Sequence, residues 1–359
     1  MLFKPDWEET KERYRAWWAH AYFGRCALGV EAPKEHPPAL PAPPAAASVE
    51  QQWYDLDLIS RRQHHLMSRT FYGGEALPVW NGGYPGNACL PTFLGCPLRL
   101  DMETGWSDPI LKDEALDCSG LRIDTASRNY RFALALLERG VRESQGRSLV
   151  TVGAFGASGD TLAGLRGTDR LLFDCADRPG QVQQAETVCM DLWIAYYETV
   201  YALTRAANEG SVCWFGIWAP GRHYAAQNDF SYMISPRMFR ELFLPVIDRQ
   251  TRHLDYTVYH VDGKGAFAHV DALCELPRLQ AIQILPGAGQ PSPLHFLPVL
   301  RKVQAAGKNL HISIPSQEVP EALANLSARG LFIQTWCDSE TQARALLKDA
   351  EKLSVENRP

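Results

Sequence analysis

The feature that most constrains the fold is an alternation of short apolar runs with longer helical patterns, from about residue 76 to the C-terminus. Strands and helices that take turns along a chain favour parallel strands joined by right-handed helical crossovers. The runs that predict strands are Ala76–Trp80, Ser148–Gly153, Val212–Trp218, Tyr256–His260, Gln280–Leu285, Asn309–Ile314 and Leu331–Thr335.

These runs, with an eighth and weaker one at Cys26–Glu31, predict an α/β fold, and specifically an eight-stranded (β/α)8 TIM barrel. The length of 359 residues fits this fold, because such a barrel takes roughly 250 residues plus insertions. An open, doubly wound parallel sheet is the alternative.

The first part of the chain has a different character. Asp6 to Tyr22 predicts a helix, with Asp6 as N-cap and Glu9 as its capping-box partner. Glu31 to Ala47 is rich in proline and predicts an extended segment. We therefore expect residues 1–70 to form an N-terminal helical and extended segment packed on a barrel of residues 71–359.

Charge and cysteine content exclude several classes of protein. The net charge is −5 and Lys and Arg are not clustered, which disfavours nucleic acid as a partner. No apolar stretch is long enough to cross a membrane, and the acidic N-terminus is unlike a secretory signal. Nine cysteines without a Cys-x-x-Cys motif favour a reducing compartment. We expect a cytoplasmic protein, and a homo-oligomer stays open.

Three potential metal ligands stand at predicted strand ends, where a barrel carries its function. His260 and Asp262 are two residues apart, so a strand would point both side chains to the same side. Cys337 ends another apolar run. An imidazole, a carboxylate and a thiolate on neighbouring strand ends could form a zinc site with an open fourth position. The alternative is a structural hydrogen bond between His260 and Asp262, beside an ordinary buried cysteine.

Other side chains at predicted strand ends are candidates for substrate binding. Gln283 could contact the substrate or serve as a fourth ligand. Tyr84, Trp218 and Trp336 could line a pocket for an apolar or aromatic ligand, although some strand-end aromatic residues are expected to be ordinary core. The segment Gly153–Gly156 lacks the lysine of a phosphate-binding loop and predicts a tight turn beside a ligand.

Several short motifs follow one another in a recognisable order: Phe93–Pro97, Thr161–Gly167, Ile234–Phe239 with Leu244–Pro245, His260–Gly263 and Trp336–Cys337. From about residue 72 onward the chain thereby resembles the uroporphyrinogen decarboxylase superfamily. It is most similar to the branch of zinc-dependent, corrinoid-linked methyltransferases. The resemblance implies a (β/α) barrel and zinc held by a His-x-Cys pair and a later Cys. Here Asp262 stands in place of the pair's Cys, and Cys337 follows 75 residues later.

The resemblance implies a zinc-dependent methyltransferase that moves a methyl group between a small substrate and a separate corrinoid protein. Its zinc ligands would be His260, Asp262 and Cys337, with His260 and Asp262 as the catalytic residues. A carboxylate in place of a thiolate makes zinc a harder Lewis acid, which suits an oxygen-bearing substrate such as a methoxy compound.

Two other functions stay open. One is a metal-independent decarboxylase with Asp262 or His260 as proton donor. The decarboxylase that acts on tetrapyrroles, however, grips its substrate through an Arg-rich N-terminal motif. This chain offers only Arg13, Arg15 and Arg25 in that region, without the motif. The other possibility is a non-catalytic ligand-binding barrel that serves a partner protein.

Overall fold

A seven-stranded sheet forms the centre of the computed structural model, which describes residues 1–86, 89–151 and 153–357. The strands are β1 (Ala27–Pro33), β2 (Thr70–Gly74), β3 (Val79–Asn81), β4 (Leu98–Leu100), β5 (Gly105–Ser107), β6 (Leu149–Thr151), β7 (Ser211–Val212), β8 (Trp218–Ala219), β9 (His223–Gln227), β10 (Tyr256–Asp262), β11 (Ala281–Leu285), β12 (Asn309–Ser313) and β13 (Leu331–Trp336).

The sheet runs in the order β2-β1-β13-β12-β11-β10-β9. All of its neighbours are parallel except β1 and β2. A second parallel pair is formed by β3 and β6, while β4–β5 and β7–β8 are antiparallel pairs. Within the described ranges no ladder joins the β3–β6 pair to the large sheet. The predicted α/β fold with parallel strands is confirmed, in a barrel-like arrangement.

Helices connect and cover the strands. They are α1 (Trp7–Trp18), α2 (Val49–Tyr54), α3 (Leu56–Arg69), α4 (Cys89–Phe93), α5 (Arg128–Ser144), α6 (Ser158–Arg166), α7 (Thr168–Asp177), α8 (Pro179–Asn208), α9 (Pro236–Met238), α10 (Leu244–His253), α11 (Val270–Cys274), α12 (Leu297–Ala305), α13 (Val319–Asn325) and α14 (Glu340–Leu353). A π turn, Phe239–Phe243, joins α9 to α10. In the part of the chain that the structure describes, no helix has both the length and the apolar character that a membrane crossing requires.

The sheet curves around the tip of the β7–β8 hairpin. The ring of Phe215 in that tip lies 6.3 Å from His260 on β10 and 5.3 Å from His311 on β12. The Phe215 carbonyl also accepts a hydrogen bond from Gln334 Nε2 on β13, at 2.8 Å. In a flat sheet β10 and β13 would be about 14 Å apart, three strand spacings. The strands therefore wrap around one residue, Phe215, which a flat sheet does not allow.

Small residues near the amino ends of the strands leave room for this hairpin. Ala27, Ala225 and Ala281 lie in one buried cluster with the hairpin residues and with the aromatic face of α1. The ring of Trp218 on β8 lies 5.3 Å from that of Trp7 on α1. The amino end of the sheet is thus closed by aromatic packing, and the carboxyl end carries the cavities.

The hairpin corrects one part of the strand prediction. Val212–Trp218 is not one strand, because Gly216 adopts a positive φ of 84° and its N–H donates to the Cys213 carbonyl, which reverses the chain. Trp218 is 0% exposed and its indole N–H donates to the Asn208 carbonyl at 2.8 Å. It is a core residue, contrary to the predicted role in substrate binding. The strand that joins the sheet here is β9, which the sequence analysis did not identify.

The N-terminal segment is also more integrated than predicted. Strand β1 lies between β2 and β13 in the central sheet, so a boundary at residue 70 would divide the sheet. Helix α1 begins at Trp7, but the Asp6 side chain makes no capping hydrogen bond. Asp6 instead forms ion pairs with Lys4 and Arg13. The predicted helix is present and its predicted capping box is not.

Candidate metal centre

Three side chains converge at the carboxyl ends of β9 and β10. Asp229, His260 and Asp262 each offer a ligand atom, and these atoms all lie within 4.8 Å of one another. His260 and Asp262 share one side of β10 because they are two residues apart. Asp229 follows β9, the parallel neighbour of β10, by two residues. Adjacent strand ends therefore bring one imidazole and two carboxylates together.

Gln283 determines how the His260 ring is oriented. The two residues are in register on β10 and β11, and His260 Nδ1 donates to Gln283 Oε1. Because a carbonyl oxygen can only accept, the proton is on Nδ1 and the Nε2 lone pair is left for another partner. Burial lowers the pKa of His260 and so favours the neutral imidazole, the form that binds metals.

Two carboxyl groups at the site, those of Asp229 and Asp160, have raised pKa values. Burial and then the charge of Asp262 raise the pKa of Asp229 to about 6. Burial and then the charge of Asp229 raise the pKa of Asp160, on α6, to about 7. Asp160 accepts hydrogen bonds from the Phe230 N–H at 2.9 Å and from Gln227 Nε2 at 3.0 Å. Clustered carboxylates of this kind would be stabilised by a bound cation.

A further carboxyl group lies behind the site. Glu186 on α8 is 0% exposed, and its Oε2 accepts a hydrogen bond from Ser158 at 2.8 Å. Its Oε1 has no hydrogen-bond partner among the residues described. Burial raises the pKa of Glu186 to about 8, with a smaller contribution from the charge of Asp160. The neutral acid is therefore the main form at neutral pH.

The cluster opens into a cavity of about 540 Å³. Asp160, Asp229 and His260 line it together with the aromatic side chains of Tyr84 and Trp214. The Trp214 ring packs edge-on against His260 at 5.0 Å. The described lining contains no Lys or Arg. The cavity is an acidic and aromatic environment suited to a metal ion and a small uncharged or cationic molecule.

The predicted site residues fall into different places. Tyr84 lines this cavity, as do Gly153 and Gly156 of the predicted turn. Gln283 is buried and supports His260. Trp336 is 57% exposed and lines a second cavity.

Cys337 is not brought to His260 and Asp262. It follows the end of β13, and its backbone N–H donates to the Glu31 carbonyl on β1 at 2.8 Å. His260 and Asp262 lie on β10, which is three strands away from β13 in the sheet. Cys337 and Trp336 line another cavity, beside Lys34 and Arg69. Among the residues that the structure describes, Asp229 completes the group of three.

Asp229 and Asp160 were not identified from the sequence. Asp229 follows the short run His223–Gln227, whose strand character is weakened by two alanines and by the preceding Pro220 and Gly221. The polar triplet Gln227, Asn228, Asp229 at its end was the available signal. The pairing of β9 with β10 puts Asp229 beside His260 and Asp262.

Comparisons with known proteins give a fold but no family. No family model matches the chain, and no curated protein matches it in sequence. Among solved structures, a methyltransferase from Methanosarcina mazei superposes with a TM-score of 0.62, at 11% sequence identity. The match covers 96% of this chain and 98% of that chain. The two proteins share a fold over nearly their whole length.

Proposed function

We propose that this protein is a metal-dependent methyltransferase in which Asp229, His260 and Asp262 hold a zinc ion. The observation that supports this proposal is the convergence of one ligand atom from each of these three residues within 4.8 Å. The Nδ1 of His260 is hydrogen-bonded to Gln283, so its Nε2 lone pair is free to bind the metal. The shared fold with a methyltransferase agrees with it.

The proposed ligand set is one imidazole and two carboxylates, with Asp229 in the role that the sequence analysis gave to Cys337. These are hard donors, so bound zinc would act as a strong Lewis acid that polarises a substrate oxygen at its open position. This chemistry suits the removal of a methyl group from oxygen. We therefore propose a small methoxylated substrate as methyl donor and a separate corrinoid protein as methyl acceptor.

Residues of this chain would support that chemistry in distinct ways. Gln283 fixes the tautomer and direction of His260. Asp160, held in the cavity wall by two hydrogen bonds, can hold a proton close to the leaving oxygen. Tyr84 and Trp214 would enclose the apolar part of the substrate.

The decarboxylase alternative receives no support from the cavity. A tetrapyrrole with several carboxylates needs cationic anchors, and the described lining offers acidic groups in their place. Arg13 and Arg25, two of the N-terminal arginines, both pair with the buried carboxylate of Glu75. They are therefore not available to a substrate.

The proposal is tested by metal analysis of protein purified without chelator. We expect about one zinc per chain, lost in His260→Ala and in Asp229→Ala because two remaining donors are too few. Cys337→Ser is the matched control and should keep its zinc. A metal-free wild type, or zinc that survives Asp229→Ala but not Cys337→Ser, would refute the ligand set.

Activity needs a separate assay. The zinc-loaded protein is incubated with a methoxylated aromatic compound and cob(I)alamin, and methylation of cobalt is followed by its absorbance. We expect turnover that requires zinc and is lost in His260→Ala. Zinc binding without turnover of any methoxylated compound would separate the metal site from the proposed reaction.

A further inference from the structure

A second cavity, of about 400 Å³, lies on the other side of Trp214 from the metal cluster. Trp214 lines both cavities. The walls of the second one include the carboxylate residue Glu31 and four aromatic residues: Tyr72, Trp214, Phe215 and Trp336. Glu31 is the only charged residue in the described lining. The cavity therefore combines a single negative charge with aromatic surface.

The sheet places Glu31 between two of these aromatic residues. On β1, Glu31 is in register with Tyr72 of the antiparallel strand β2 and with Trp336 of the parallel strand β13. Residues in register on neighbouring strands lie about 5 Å apart and project from the same face. Glu31 therefore lies between Tyr72 and Trp336 on one face of the sheet, and the backbone hydrogen bonds of the three strands fix this arrangement.

Glu31 forms no ion pair with the described residues, although it also lines an adjoining cavity with Lys34 and Arg69. Lys34, three residues away, directs its ammonium group to the Ser68 carbonyl at 3.1 Å and over the ring of Phe3. Glu31 is an exposed residue, and partial desolvation by its surroundings raises the pKa of its carboxyl. Burial raises the pKa of Tyr72, and the nearby negative charge of Glu31 raises it further because it repels the ionised phenolate. An unpaired carboxylate in such a place is stabilised when a cation binds.

The lining also indicates which kind of cation fits. A metal ion needs several donors of its own type, and the described walls offer one carboxylate. Aromatic faces attract organic ammonium groups, and methylated ammonium ions most of all, because these carry their charge on a weakly hydrated surface. Asn81, Ser313 and Gln334 add neutral polar groups that could bind the rest of such a molecule.

We propose that this second cavity binds a small methylated ammonium compound, with Glu31 neutralising its charge and Tyr72 and Trp336 contacting its methyl groups. The site is separate from the metal ligands, and the inference does not depend on zinc or on methyl transfer. Its position across Trp214 from the metal cluster would let an occupied second cavity affect the first.

The test is calorimetric titration of the full-length protein with choline and, in parallel, with 3,3-dimethyl-1-butanol, its uncharged analogue of the same shape. We expect choline to bind with a millimolar or lower dissociation constant and the neutral alcohol to bind at least about tenfold more weakly. Equal affinity for the two compounds would show a merely apolar pocket and overturn the proposal.

Three variants place the ligand in this cavity. Glu31→Gln, nearly the same shape without the charge, should weaken choline binding by about tenfold or more. Trp336→Leu should also weaken it, while Trp336→Phe should restore most of the affinity because it keeps an aromatic face. Asp349→Asn is the control, since this exposed carboxylate on α14 is in the described lining of neither cavity that Glu31 contacts.

The outcomes separate this inference from the metal proposal. Choline binding that survives Glu31→Gln, or that is lost equally in Asp349→Asn, would overturn the proposed site. Zinc content should stay unchanged in Glu31→Gln, because Glu31 is not among the three metal-binding residues. A chain that binds choline but no zinc would refute only the metal centre.

Discussion

The aromatic layer at the amino end of the central sheet differs from the polar cluster at its carboxyl end. At the amino end, aromatic side chains are buried with their polar atoms satisfied. Tyr14 donates to the Glu75 carbonyl at 2.8 Å, and Trp17 to the Gly330 carbonyl at 3.0 Å. At the carboxyl end, both amide atoms of Asn228 and the indole N–H of Trp214 are buried without a partner among the residues described.

This difference separates a part of the molecule built for stability from a part built for binding. An unsatisfied buried polar group costs about 1–3 kcal/mol, so a chain that keeps several of them in one place gives up stability there. The carboxyl end adds the carboxylates of Asp160, Asp229 and Asp262, which repel one another. Such an arrangement is stabilised by a ligand that supplies positive charge and donors.

The largest expected effect contrasts a carboxylate from each end. Glu75 is buried beside Arg25 and accepts from both terminal nitrogens of its guanidinium group, at 2.7 and 2.9 Å. Glu75→Ala leaves that guanidinium buried and unpaired, so we expect a loss of about 3–5 kcal/mol in unfolding free energy. Urea denaturation of the metal-free protein measures it.

The matched variant at the other end is Asp229→Ala, which removes a carboxylate from among like charges. We expect its unfolding free energy to equal or exceed that of the wild type in metal-free buffer. If Asp229→Ala destabilised the protein as much as Glu75→Ala, the two ends would not differ in the way described.

A smaller effect is expected within the single β7–β8 hairpin, which carries one tryptophan toward each end. Trp218→Phe removes the indole that donates to the Asn208 carbonyl and leaves a gap in a closed core. We expect a loss of about 2–3 kcal/mol. Trp214→Phe should cost less, because the lost indole N–H has no partner in the described structure. Thermal unfolding of both variants, followed by circular dichroism, makes the comparison, and equal losses would contradict it.

Much of the fold follows from the period of the apolar runs, since β10 to β13 lie close to the predicted positions. The hairpin could not be predicted in that way. Val212–Trp218 has the composition of a strand, and only the turn at Gly216 and the tertiary contacts of Trp218 show that it folds back. Composition identifies a buried segment, but it does not determine whether that segment joins the sheet or fills its concave side.

The sequence predicts which site residues lie together on one strand, but it does not predict which residues of different strands are brought together. The spacing of two places His260 and Asp262 together, and the structure has them so. Cys337 follows β13, which lies three strands from β10 in the sheet, and this distance separates Cys337 from the site. Asp229 required knowledge that β9 pairs with β10, a contact that single-sequence patterns do not contain.

The smallest expected effect concerns Glu186, a buried residue with a raised pKa behind the metal cluster at the carboxyl end of the sheet. A carboxyl that holds its proton more tightly when folded stabilises the protein while it stays protonated, and this contribution is lost as pH rises through the folded pKa of about 8. Wild-type stability should therefore fall between pH 6 and pH 8. In Glu186→Gln, whose amide oxygen can still accept from Ser158, that fall should be smaller by about 1–2 kcal/mol.

The comparison uses metal-free protein, with urea denaturation at pH 6, 7 and 8 for wild type and variant. Asp160 and Asp229 titrate in both proteins, so the difference between the two profiles isolates Glu186. Glu321→Gln, at an exposed position on α13, is the control and should follow the wild type. If the Glu186→Gln and wild-type profiles run parallel, Glu186 is already ionised at pH 6, and the binding end does not hold a proton behind the metal cluster. If the wild type loses more stability than Glu186→Gln between pH 6 and pH 8, as expected, the carboxyl end keeps a buried carboxyl group protonated, whereas the amino end holds Glu75 as an ion.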